Sequence, residues 1–366
     1  MRIVDVQVIV YAHPMPPQHA WRNFGQVQEV SLVKVVTDEG VEGYGSARAQ
    51  GGTGGRVIAE SILKTARPLL LGQDPLDRER IWQRLWALDR GGYLPIFATS
   101  ALDVALWDIA GKVAGLPLWK LLGGARTSLP AYASSARHAR PEEYAEEALA
   151  CRERGYPAYK LHPPGSFQAD LAACTAVRDA VGPEYVLMSD PTGAYDHRTA
   201  LRMGRALEAL GYYWYEEPLS DYDLAGYAEL CRALDIPILG GETVAGSVRL
   251  AAEYVLRGAV DVLRGDVYWK GGITGLLKMA HLAEAHGMKL EIHHGASPLM
   301  DWANLHVACA IANCEFFEVL VPESKYAYGL QAYPHPDRDG QVHAPNAPGL
   351  GVAIDWDYVN GHRIDA

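Results

Sequence analysis

The 366-residue chain is short of positive charge: 33 lysines and arginines stand against 44 aspartates and glutamates, a formal net charge of −11. Nucleic acid and anionic membranes are gripped by a basic face, so neither partner is expected. No apolar run approaches the ~18 to 20 residues that span a bilayer. The N-terminus MRIVDVQVIVYA has one arginine, alternates apolar and polar residues and lacks a small-residue cleavage site. It therefore reads as a strand and not a signal peptide, and a cytoplasmic location is expected. Cysteine is scarce. Cys151, Cys174, Cys231, Cys309 and Cys314 are odd in number and never spaced CxxC, which argues for reduced thiols and against a disulfide framework. The glycines of RAQGGTGG (Arg48 to Gly55) have neither the GKS/T ending of a phosphate loop nor a full GxGxxG, so they suit a mobile flap instead.

What is present is an ordinary globular composition, 49% hydrophobic and 21% charged, in a chain long enough for two domains. Ile3 to Tyr11 and Val30 to Val36 are β-branched runs, and Asp38-Glu39-Gly40 is a hairpin turn before Val41 to Gly45, which predicts an antiparallel meander. Between its strands lies HPMPPQHAWRNFGQ (His13 to Gln26), a second candidate lid. From Val57 to about Leu122 the apolar residues recur at helical spacing. From Ser128 onward the chain alternates short apolar strand, turn and amphipathic helix. Strands are expected near Ala131 to Ser134, Tyr159 to His162, Val186 to Asp190, Trp214 to Glu217, Ile238 to Glu242, Val260 to Asp266, Leu290 to His293 and Phe316 to Leu320. Eight such units with right-handed crossovers favour a closed barrel over an open sheet. The stretch is short for the ~250 residues of a typical (β/α)8 barrel, so one helix is expected to be abbreviated.

A titratable residue stands at the C-terminal end of nearly every expected strand, which is where barrel enzymes build their sites. They are Lys160 and His162, Asp190, Glu216, Glu242, Asp266, His293 and Glu318, and from Asp190 onward they recur every 24 to 27 residues. Asp190, Glu216 and Glu242 could not share an apolar mouth while ionised unless a cation offset their repulsion and desolvation. Three carboxylates without Cys or His among them favour Mg2+, or Mn2+, over Zn2+. Strand-end acids can also cap the helices that follow, but three at matching intervals make that the weaker reading. Glu216 and Glu217 alternate across their strand, and periodicity does not say which faces inward.

Several elements, in order and on register, resemble the enolase superfamily and its mandelate racemase subgroup. They are Lys160-Leu161-His162, Asp190, the EEP element Glu216-Glu217-Pro218, Gly240-Gly241-Glu242, the DxxxKGGxTG run from Asp266 to Gly275, and His293. The resemblance covers nearly the whole chain. It implies an α/β fold, a modified (β/α)7β TIM barrel over residues 126–320. An α+β capping domain would be made from residues 1–125 and the returning C-terminal segment 321–366. It also implies that Glu216, the first glutamate of EEP, is the third metal ligand, and that Mg2+ stabilises the enediolate formed when the proton α to a carboxylate is removed. The pairing of a Lys or His base with Mg2+ is a named pattern of this superfamily.

On that resemblance His293 is one base, with Asp266 fixing its tautomer. The adjacent His294 would point the other way. Lys160 is an electrostatic partner of the substrate carboxylate, and His162 stands where the commoner pattern has a second lysine, as the second acid or base. Glu318, protonated, would donate to the carboxylate's other oxygen. His19, Trp21, Arg22 and Arg48 are the candidate substrate-binding residues of the lids. The expected partner is a small carboxylate, an acid sugar, and the expected assembly a homo-oligomer. The activity implied is dehydration of an aldonate or aldarate to a 2-keto-3-deoxy product. A racemase, epimerase or cycloisomerase using His162 and His293 is the alternative. A metal-dependent barrel hydrolase is less favoured, because SLPAYASSA (128–136) lacks the His-x-His pair such enzymes carry on their first strand.

Overall fold

The computed structural model describes residues 1–14, 27–48, 54–92, 94–244, 247–295 and 297–364. The chain opens with an antiparallel sheet in the order β1 (Ile3–Pro14), β2 (Val27–Thr37), β3 (Glu42–Arg48). Gly40, at φ +77°, takes the left-handed position of the β2–β3 turn. Helices follow: α1 (Gly54–Ser61), which continues through a π turn at Ile62–Ala66 into α2 (Arg67–Leu70), then α3 (Arg78–Gly92), α4 (Ile96–Ala114) and α5 (Leu118–Leu121). Helix α4 is buried along most of its length because it lies between the sheet and the barrel. Gly43 and Gly45 permit this close approach. A Cβ on either would come within 2.1 Å of the Ala105 carbonyl or 2.0 Å of the Ala101 carbonyl.

Eight parallel strands then alternate with seven helices: β4 (Ser128–Ser134), α6 (Pro141–Glu153), β5 (Ala158–Leu161), α7 (Phe167–Val181), β6 (Val186–Ser189), α8 (His197–Ala209), β7 (Trp214–Glu216), α9 (Leu224–Ala233), β8 (Ile238–Gly240), α10 (Ser247–Leu256), β9 (Val262–Gly265), α11 (Gly272–Ala285), β10 (Lys289–Ile292), α12 (Pro298–Ala310) and β11 (Phe317–Leu320). The barrel closes where β11 pairs with β4, from Phe317 opposite Ala131 to Leu320 opposite Ser134. All eight strands fall where the apolar runs place them, and closure leaves no strand edge within the ring. Tyr132, Ala158, Met188, Trp214 and Leu239 form a separate small cluster that fills the inside of the ring. The tail adds β12 (Gln341–His343) antiparallel to the start of β4, and after α13 (Trp356–Gly361) it bonds back to β1 through Ile364 and Val10. Among the described residues no helix is long and apolar enough to cross a membrane, and the five cysteines are free.

The GGxTG part of the motif after Asp266 docks α4 on the barrel. Gly271 and Gly272 have φ of +78° and +88°. They turn the chain so that Thr274 presents both its N–H (2.9 Å) and its hydroxyl (2.7 Å) to the carboxylate of Asp103 on α4. A Cβ at Gly272 would sit 2.3 Å from Asp103 Oδ2, in a backbone region that L residues rarely adopt. Gly272→Ala is therefore expected to cost about 2–4 kcal/mol through strain and the displaced carboxylate. A thermal or urea melt of that variant within 0.5 kcal/mol of the parent would show that the docking contact contributes little.

Candidate active site

Residues two apart on a strand share a face, and at the C-terminal end of every strand from β5 to β11 the inward position is polar. Lys160 lies in β5 with His162 just beyond it; Asp190 follows β6, Glu216 ends β7 and Glu242 follows β8. Asp266 follows β9, His293 follows β10 and Glu318 lies in β11. The structure brings all of them to one mouth.

Lys160 is fully buried there, with Nζ 2.9 Å from Glu216 Oε1, 2.9 Å from Glu318 Oε1 and 3.6 Å from Asp190 Oδ2. Burial disfavours its charge, but Glu216 and Glu318 outweigh burial and hold its pKa well above the ordinary lysine value. Glu318 is the mirror case: burial pushes it up, while Lys160 and Arg264 pull it well below the usual carboxylate range. Its Oε2 accepts from Arg264 and from the His294 N–H at 3.0 Å. A donating role for Glu318 would require its protonated form, whereas here three donors are directed at it.

Two imidazoles face this ring, each anchored at Nδ1. His293 Nδ1 is 2.7 Å from Asp266 Oδ2 and its Nε2 is 3.3 Å from Glu242 Oε1. Burial lowers its pKa, but Glu242 and Asp266 together raise it to about 9. His162 Nδ1 is 2.8 Å from the Ser135 carbonyl and its Nε2 is 3.1 Å from Asp190 Oδ2. His294 turns away, its Nε2 lying 3.2 Å from Asp301 Oδ2, and burial holds it neutral with a pKa of about 3.

The choice between Glu216 and Glu217 is visible in the backbone. Glu216 bonds Lys160 and the indole N–H of Trp214 (3.1 Å) inside the barrel. Glu217 takes a positive φ of +40°, and its Oε1 accepts the Glu242 N–H at 3.0 Å. It thus braces the loop that carries Glu242.

Asp190, Glu216 and Glu242 offer only hard oxygens and share their cationic neighbours: Lys160 reaches the first two, and Arg264 lies 2.8 Å from Glu216 and 3.6 Å from Glu242. Among the described residues no three donors are drawn together into a ready cation cage; each carboxylate is turned onto a protein cation. Asp266 and Glu318 bring the carboxylates to five, set against Lys160, Arg264 and a protonated His293. The carboxylates outnumber these cations, and their oxygens are the hard donors a divalent ion prefers, so the residues fit one.

Three site residues escaped the sequence reading, and a fourth, Lys270, entered it only as the lysine of the DxxxKGGxTG run. Arg264 and Ser134 are inward neighbours, two positions from Asp266 and Tyr132, and period-2 spacing was the signal that could have found them. Lys270, which burial lowers to about 8, donates to the carbonyls of Gly241 (2.6 Å) and Val244 (2.7 Å), on either side of Glu242. Asn304, fully buried on α12, accepts the Val267 N–H at 2.9 Å and donates to the His293 carbonyl at 3.0 Å. It ties together the segments that carry the two members of the Asp266–His293 pair. Of the lid residues, His19, Trp21 and Arg22 lie outside the described residues. Arg48 ends β3 with its guanidinium on the Gly295 carbonyl and, at 3.5 Å, on Gln28 Oε1. It ties the sheet to the loop after His293.

Residues 3–123 match the family described as mandelate racemase/muconate lactonizing enzyme, N-terminal domain, and residues 143–358 match the enolase C-terminal domain-like family. The chain belongs to this family. Its relatives include the L-talarate/galactarate dehydratase of Salmonella typhimurium, 34% identical over 89% of this chain and 80% of that protein. They also include the 3,6-anhydro-alpha-L-galactonate cycloisomerase of Streptomyces coelicolor, 31% identical over 97% of this chain and 98% of that protein. The solved structure of D-glucarate dehydratase from Agrobacterium tumefaciens, complexed with magnesium, shares 37% identity and a TM-score of 0.89, with both chains covered in full. Among members of the mandelate racemase family, then, this chain stands beside acid-sugar dehydratases and a cycloisomerase.

The Asn304 bridge has a direct readout. In Asn304→Leu the His293 carbonyl and the Val267 N–H each lose a buried partner, so a loss of about 1–3 kcal/mol in stability is expected. The imidazole Nδ1–H signal of His293 should also broaden or move in NMR spectra of histidine-labelled protein. An unmoved signal would mean that the pair is positioned without Asn304.

Proposed function

We propose that this mandelate racemase family member is a Mg2+-dependent acid-sugar dehydratase. Its C2 proton is removed, the C3 hydroxyl leaves as water, and the resulting enol tautomerises to the 2-keto-3-deoxy acid. The observation that carries this reading is the pair of anchored imidazoles, each with Nε2 turned to a carboxylate of the Asp190, Glu216, Glu242 set. A proton α to a carboxylate is too weakly acidic for a side-chain base in water. Such a reaction needs positive charge fixed where negative charge develops, in a site that excludes water. A Mg2+ ion held by Asp190, Glu216 and Glu242 would supply that charge. The magnesium in the glucarate dehydratase neighbour supports this choice of ion.

The chain's own groups account for the rest. Lys160, kept charged by Glu216 and Glu318, binds the substrate carboxylate. His293 takes or returns a proton at Nε2, with Asp266 fixing its ring and stabilising the imidazolium. His162 is the second proton-transfer group, available to a substrate of the other C2 configuration. The dehydratase names among the relatives favour loss of water. The cycloisomerase among them keeps the second reading open, in which the same two histidines move protons without elimination.

A panel of mono- and diacid sugars incubated in D2O with Mg2+, with and without EDTA, separates these outcomes by proton NMR. A 2-keto-3-deoxy product that EDTA abolishes establishes the dehydratase; isomerisation or α-deuterium exchange with the skeleton retained establishes the second reading. His293→Asn is expected to lower kcat by a factor of ~10² to 10⁴ with the fold intact. Unchanged turnover in that variant would remove His293 from the reaction.

A further inference from the structure

Arg264 is a fully buried guanidinium in the middle of the carboxylate ring. It projects from β9 and meets side chains from four other strands or strand ends. Nε is 2.8 Å from Glu216 Oε1 and 3.6 Å from Glu242 Oε2, and Nη2 donates to Glu318 Oε2 and, at 2.9 Å, to Tyr132 Oη. Its bonding is nevertheless incomplete. Nε is within ion-pair distance of Glu216 but not aligned for a hydrogen bond, and neither Nε nor Nη1 has a hydrogen-bond partner among the described residues. A buried guanidinium held for packing or for rigid recognition normally uses its fork of donors in full. Here the group is placed by charge: among the described residues, Glu216 has only Lys160 as another cation within 4 Å, and Glu242 has otherwise only the imidazole of His293.

We propose that Arg264 is a resident counter-ion of the carboxylate ring, one that keeps Glu216, Glu242 and Glu318 folded together when no dication is bound and competes with a dication for Glu216 and Glu242. The first half stands on the contacts alone; the second rests on the metal reading given under Proposed function. Removing one member of a buried ion cluster leaves its partners uncompensated, whereas removing an opposite pair restores the balance.

The test uses the full-length protein, thermal melts in EDTA and Mn2+ binding by calorimetry. Without metal, Arg264→Gln should melt on the order of 5–10 °C below the parent. The double variant Arg264→Gln/Glu318→Gln, which removes one charge of each sign, should recover much of that loss. Mn2+ should raise the melting temperature of Arg264→Gln by more than it raises the parent's. It should also bind Arg264→Gln more tightly, on the order of tenfold for one like charge removed a few ångströms away. An Arg264→Gln melt within 2 °C of the parent, or no recovery in the double variant, overturns the counter-ion role. If the single variant does not fold, the double variant decides: folding supports the role and failure overturns it. Weaker Mn2+ binding by Arg264→Gln overturns the competition. Absence of Mn2+ binding by the parent overturns the metal reading and leaves the metal-free melts to judge Arg264.

Discussion

The repulsion among five buried carboxylates at one end of a closed barrel is the constraint on which the rest of the structure depends. Asp190, Glu216, Asp266 and Glu318 are almost wholly removed from solvent and Glu242 nearly so. Left unpaired, each would take up a proton or unfold its strand end, since the desolvation of an isolated carboxylate exceeds anything its neighbours gain by packing. The chain answers with two fixed cations placed one inward position below the mouth, Lys160 on β5 and Arg264 on β9. Both are shared by carboxylates from several strands. Sharing matters because one cation then fixes the relative position of strands that are distant in sequence. On the reading proposed above, the charge that remains is what a small, hard, doubly charged ion would offset.

Those side chains keep their positions because the scaffold beneath and around them is rigid. Closure of β11 onto β4 leaves no free edge, and the apolar cluster inside the ring gives the polar layer a floor. The loops above are tied down individually: Lys270 and Glu217 hold the Glu242 loop, and Asn304 holds the backbone beside Asp266 and His293. Arg48 and Ser46 reach from β3 to Gly295 and Ser297. The loop after His293 is therefore one place where sheet and barrel meet directly.

The strands and their polar ends were legible because each repeat spells a short apolar run, a titratable residue and then a turn, a pattern that any one unit could produce by chance but seven cannot. Arg264 was passed over because a lone charge inside an apolar run reads as noise, although its place two residues before Asp266 puts it on the same face. Asn304 carried no local signal. On a helix its amide could face anywhere, and only the packing of α12 against the ends of β9 and β10 gives it two partners. The donors that converge on Glu318 carried no local signal either, since two of the three, Arg264 and the His294 N–H, come from β9 and from the loop after β10. The GGxTG residues were legible as a motif but not as a docking element, because their partner, Asp103, lies some 170 residues earlier.

The two imidazoles are not equivalent, and the difference bears on which chemistry the site favours. His293 is anchored by a carboxylate, Asp266, buried without exposure, and faces a second carboxylate at Nε2. His162 is anchored by the neutral carbonyl of Ser135. An anionic partner stabilises an imidazolium far more than a carbonyl dipole does, and although each Nε2 faces a carboxylate, of the two imidazoles His293 alone has a carboxylate at Nδ1 as well. Racemisation needs two groups that exchange roles with comparable ease. Elimination needs one group that takes a proton and one that delivers it to a departing hydroxyl, a task for which an asymmetric pair is better suited. The mouth of this barrel is built asymmetrically at the level of its Nδ1 acceptors, and on the proposed reading that asymmetry suits an elimination.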